Sequence, residues 1–155
     1  MINLSKKAAK RFNIRWLDLE DQSGDFWKID VIMVSHYPVL LIVHEYTLYT
    51  LVRRKVNFKT IEDVVEEIKH FCPWYRCPKK LIIGKNTNKK LNGAITEMKR
   101  ITAGTYYSDF TSEMEKRINM SIYSYLSAEK YNYGNPLKSI EKYKNGEMPW
   151  LSKIN

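Results

Sequence analysis

Cysteine, histidine and long apolar runs are all scarce in this 155-residue sequence, and each scarcity removes a class of function. Two cysteines, Cys72 and Cys77, are too few for the disulfide framework of a small secreted domain. The longest apolar run, Val39 to Val43, falls far short of the ~18 residues that cross a bilayer, so no membrane partner is expected. The opening MINLSKKAAKRF has no apolar h-region, so no secretory leader is expected, and a cytoplasmic location follows. His70 stands near both cysteines and invites a zinc reading, but zinc sites of this spacing need a second ligand pair. The only other histidines are His36 and His44, and the His-x-Glu with Pro-Cys-x-x-Cys pattern of zinc deaminases is missing. Nucleophile-elbow and P-loop motifs are missing too. The expectation is a protein that is not an enzyme, with no catalytic residues, metal or cofactor. The enzyme alternative would have to draw on His44, Glu45 and Cys72, whose meeting in space the sequence leaves open.

Acid is the other absence, and it is local. Residues 1–17 carry Lys6, Lys7, Lys10, Arg11 and Arg15 with no carboxylate, and residues 68–96 carry Lys69, Arg76, Lys79, Lys80, Lys85, Lys89 and Lys90, again with none. The formal net charge is +9, and outside these two segments the chain is slightly acidic. Clustering of this kind is the electrostatic footprint of a polyanion partner, although a solvated basic surface has the same composition.

What is present reads as one α+β domain over residues 1–155, apolar enough at 44% to bury a core. Ser5 is an N-cap for a short helix with Ala8, Ala9 and Phe12 on its apolar side. Strands are expected at Trp27–Ser35, from Val39, and from Thr47, with a turn at His36-Tyr37-Pro38. Short connections favour antiparallel pairing. Thr60 with Asp63 reads as a capping box, followed by a stripe of Ile61, Val64, Val65 and Ile68. Lys80–Gly84 reads as one more strand. Leu91, Ala94, Ile95 and Met98 repeat at helical spacing, as do Phe110, Met114, Ile118, Ile122 and Tyr125, with Ser108 as a cap. Residues 131–155 read as an irregular tail wrapping the domain, anchored by Trp150 and Leu151. The expected architecture is an antiparallel sheet of about four strands with three to four helices packed on one face.

Three stretches carry a resemblance: INLSKKAAKRF, VHEYTLYTLV and NTNKKLNGAITEM, supported by Asn135-Pro136 and Pro149 in the tail. Together they resemble a bacterial domain-of-unknown-function family, small proteins of about this length found in chromosomes, phages and plasmids. The resemblance implies an α+β fold. It brings no established activity and no site residues.

The stretch KNTNKKLNGAITEMKR concentrates the functional question. Thr87 or Asn88 suffices to cap the helix that starts there, which leaves Lys85, Lys89 and Lys90 crowding an end whose dipole repels cations. A docked anion would resolve the conflict, and so would an acidic neighbour such as the Asp18–Asp25 turn. The leading expectation is a non-catalytic protein that binds nucleic acid through Lys6, Lys7, Lys10 and Arg11 with Lys79, Lys80, Lys85, Lys89 and Lys90. Trp74 and Tyr75 would stack on bases if exposed. The alternative is a phage or plasmid protein that binds an acidic surface on a host protein, such as a defence nuclease, and inhibits it. The oligomeric state is not legible.

Overall fold

The computed structural model describes residues 2–15, 26–75, 83–85, 89–103, 110–123 and 134–146. Five strands form one sheet: β1 (Ile2–Leu4), β2 (Trp27–Val34), β3 (Tyr37–His44), β4 (Thr50–Arg54) and β5 (Ile83–Lys85), in the order β4-β3-β2-β1-β5. The helices are α1 (Lys6–Arg11), α2 (Ile61–Phe71), α3 (Lys89–Thr102), α4 (Phe110–Met120) and α5 (Pro136–Lys144). The α+β class of the sequence reading stands, and the sheet is mostly antiparallel. The strand beyond the expected four is β1, whose three residues pair in parallel with β2 on one side and β5 on the other.

The meander β2-β3-β4 follows from its residues. A two-residue turn, Ser35-His36, joins β2 to β3, and both residues have positive φ, 47° and 70°, as a type I′ hairpin requires. Tyr37 and Pro38 therefore belong to β3 rather than to the turn. Pro38 pairs only with Met33 of β2, because β4 reaches no further than Val39, so no ladder hydrogen bond misses its N–H. β4 begins at Thr50 instead of Thr47: residues 45–47 form a turn, and Leu48 sits at φ 58°.

Alternation along the central strands divides the interior in two. On one face Ile29, Val31, Leu40, Ile42 and Leu51 pack with Ala8, Ala9 and Phe12 of the α1 segment and with Ile61, Val64 and Ile68 of α2. On the other, Ile32, Val39, Leu41, Val43 and Val52 pack with Leu91, Ala94, Ile95 and Met98 of α3 and with Met114 and Ile118 of α4. Helices thus cover both faces, not one. The cause lies in β3, which is apolar at both parities from Val39 to Val43 and must be shielded on both sides.

The α2 capping box forms as expected: the Thr60 hydroxyl accepts from the Asp63 N–H, and the Asp63 carboxylate accepts from the Thr60 N–H at 2.9 Å. On α4, Met114 and Ile118 are buried, but the helix stops at Met120 and leaves Ile122 exposed. The expected irregular tail contains α5, which Asn135 caps by accepting from the Lys138 N–H and which Pro136 starts from a φ suited to the first turn. Ser108, Tyr125, Trp150, Leu151 and the Asp18–Asp25 turn lie outside the described residues. So do Lys80–Ile82, Thr87 and Asn88.

The outer edge of β4 is occupied by α4. Asn119 accepts from the Thr50 N–H at 2.9 Å and donates to the Thr50 carbonyl at 2.8 Å, and Glu115 accepts from the Val52 N–H at 2.9 Å. Arg53 bridges Glu67 of α2 and Glu115 of α4, at 2.6 Å to each, so one side chain ties the two helical layers together across the sheet edge. Among the described residues, no helix is long and apolar enough to cross a membrane.

Candidate anion-binding site

Parallel pairing brings the start of α1 and the end of β5 to one end of the sheet. Leu4 of β1 stands in register with Lys85 of β5, so the chain leaves both strands at the same end, one strand spacing apart, ~4.8 Å. From there α1 packs on one face of the sheet and α3 on the other. In open α/β sheets, the carboxyl ends of neighbouring parallel strands whose following helices diverge are where ligands bind.

Lys6, Lys7, Lys10 and Arg11 of α1 are all exposed. Their helix is anchored from below. The Ser5 hydroxyl accepts from the Ala8 N–H at 3.2 Å and donates to Asp30 Oδ1 at 2.7 Å, and the Ser5 N–H donates to the Ile29 carbonyl at 3.0 Å. Asp30 thus holds the N-cap hydroxyl of α1 in place. A groove of about 660 Å³ runs between this helix and β2, lined by Lys7, Lys10, Arg11, Val31 and Met33. An Arg11 guanidinium nitrogen lies 3.7 Å from the Met33 sulfur.

On the opposite face of β2 the strand buries two charged side chains, Lys28 and Asp30, beside Asn3 of β1. Lys28 reaches α3 and donates to Asn92 Oδ1. Asp30 accepts from Ser5, from the Val31 N–H at 2.8 Å, and from Lys99 of α3 at 2.9 Å. Burial alone would raise the Asp30 carboxyl, but the hydrogen bonds from Ser5 and Lys99 prevail and hold it below its ordinary value. Lys28 moves the other way for a base. Desolvation brings its ammonium down to about 8, opposed by Asp30 and assisted by the like charge of Lys99. The Asn3 Oδ1 beside it is buried without a hydrogen-bond partner. This cluster was missed from sequence, although Lys28-Ile29-Asp30 carries a signal: charges at a spacing of two inside an apolar strand share one buried face.

The remaining expected residues fall as follows. Lys85 ends β5, Lys89 and Lys90 open α3, and Lys89 is exposed. No acid stands in the first turn of α3. Lys79 and Lys80 lie outside the described residues. Tyr75 is not available to stack on a base: it is buried, and its ring meets the edge of Trp27 at 5.8 Å. Trp74 is half-buried in the same cluster, with ring centres 6.1 Å from Trp27, 5.1 Å from His44 and 5.1 Å from Tyr143. The two residues end the turn after α2, which tucks under the amino end of β2, and burial of their rings closes the core there. His44 is fully buried, with Nδ1 2.8 Å from the Thr47 hydroxyl. Burial pushes the Cys72 thiol up to about 12, away from the thiolate that a nucleophile needs. Among the described residues, no group of three or more His, Cys, Asp or Glu side chains could hold a metal ion.

Comparison of the chain with protein-family models and with curated proteins gives no match, so the reading of this site stands on its own residues.

Proposed function

We propose that the protein is a non-catalytic binding protein that engages a polyanion, nucleic acid first among them, across the carboxyl end of β1 and β5. The observation that carries this reading is the Leu4–Lys85 register, which brings the start of α1 and the end of β5 side by side. The exposed Lys6, Lys7, Lys10 and Arg11 of α1 then follow one strand, and Lys85 at the end of β5 with Lys89 and Lys90 at the start of α3 follow its neighbour. Contacts of this type position a protein on phosphates and release counterions, so affinity should fall steeply with salt.

The test is binding of labelled DNA and RNA oligonucleotides across a salt series, with wild type and with Lys85, Lys89 and Lys90 all changed to Glu. Replacing three phosphate contacts should weaken binding by about a hundredfold near 0.1 M salt and flatten the salt dependence. Absence of binding at low salt, or an unaffected triple variant, would sink the reading. A stoichiometric protein partner recovered after nuclease treatment would instead identify an acidic protein surface as the ligand.

A further inference from the structure

We infer that the groove between α1 and β2 receives a single strand of nucleic acid, with phosphates on the α1 cations and a base on the apolar floor. This rests on the nucleic-acid reading above and narrows it to a strand type and a place.

The lining argues for it in two steps. Lys7, Lys10 and Arg11 stand at i, i+3 and i+4, on one side of the helix, and among the described residues no carboxylate lines the groove with them. The nearest acid on β2 is Asp30, which alternation puts on the other face of the strand, where Ser5 and Lys99 already hold it. Charge complementarity therefore calls for an anionic occupant. The floor then selects among anions. Val31 and Met33 are apolar, and Met33 of β2 is 54% exposed in the groove that the three cations line. A duplex meets a protein surface with sugars and phosphates and keeps its bases stacked inside, so it would set this floor against a charged backbone. A single strand turns out unstacked bases, whose flat faces fit the Met33 side chain and the plane of Arg11 beside it.

The length of the helix sets the scale. Six residues span ~9 Å, enough for the phosphates of about two nucleotides. The groove is thus a short subsite, and a longer strand would extend beyond it toward the carboxyl ends of β1 and β5.

The experiment measures fluorescence anisotropy of a labelled single-stranded oligothymidylate and of a labelled duplex of equal length, at one fixed low salt. It uses the full chain, Met33→Ser, and the Lys85, Lys89 and Lys90 triple Glu variant, each checked for folding by its thermal melt. Single-stranded DNA should bind at least about tenfold tighter than duplex. Met33→Ser should weaken the single strand by about fivefold, the loss of one partly covered apolar side chain, and leave duplex binding unchanged. Equal or tighter binding of duplex overturns the groove assignment while leaving the broader reading intact. So does an inert Met33→Ser alongside a triple variant that loses affinity. Failure of either DNA to bind removes both.

Discussion

Trp27, Ile29 and Val31 point to one side of β2 and Lys28 and Asp30 to the other, and all five are buried, none more than 5% exposed. The apolar side holds by contact, and the one polar group it carries, the buried Trp27 indole N–H, has no hydrogen-bond partner. The charged side holds only as far as partners reach it. Asp30 has three donors, one of them the hydroxyl that starts α1. Lys28 has Asn92, and the acceptor next to it on Asn3 has nothing. Equal burial therefore has opposite meanings across the thickness of one strand. It contributes stability on the first side and costs stability on the second, where the charges position a helix terminus and not a core.

The largest test of that contrast is Ile29→Ala. At 0% exposure its removal leaves a cavity under α1 and α2 and should cost about 4 kcal/mol in urea unfolding. A loss under about 1 kcal/mol would mean the face is loosely packed. Asp30→Ala comes next, at about 3 kcal/mol, because it strands the Ser5 hydroxyl and leaves Lys28 and Lys99 facing each other without their shared counter-charge. Its signature should be a loss of α1 protection in hydrogen exchange, which Ile29→Ala would not confine to that helix. The smallest effect has the opposite sign. Lys28→Met replaces a buried ammonium by an apolar chain of similar length and should stabilise the protein by about 1 kcal/mol at pH 7.

Lys28 also gives the comparison a pH dependence. In the folded chain its ammonium loses its proton near 8, but unfolded it keeps that proton to about 10.5. Between those values the unfolded state binds more protons, so wild type should gain stability on Lys28→Met as pH rises through the window. A flat difference would mean that the amine is solvated, and the two sides of β2 would no longer be distinct.

Much of this was legible in advance, for physical reasons. The α2 start could be read because Thr60 and Asp63 satisfy each other locally, and β3 because its run of apolar residues has few other uses. Ala8 and Ala9 gave the buried side of α1, and its basic side was readable as surface. What escaped depends on distant parts of the chain. β1 is a strand only because β2 and β5 flank it, and three residues carry no period. Covering helices on both faces was announced by the two-sided apolarity of β3, which a one-face sheet would have left half in water. Tyr75 was offered as a stacking surface because composition cannot tell a buried ring from an exposed one. Lys28 and Asp30 belong to no charge cluster, and isolation inside an apolar strand is what marks them.

The hold of α4 on β4 bears on how this protein behaves at high concentration. A bare outer strand is a template on which a second chain can continue the sheet. Here Asn119 imitates such a neighbour, giving and taking the hydrogen bonds of Thr50 as another backbone would, and Glu115 takes the next amide. Growth of the sheet from that side is therefore closed unless α4 first peels away. When copies crowd together, this side-chain imitation of a strand keeps contact between them from becoming fusion of their sheets.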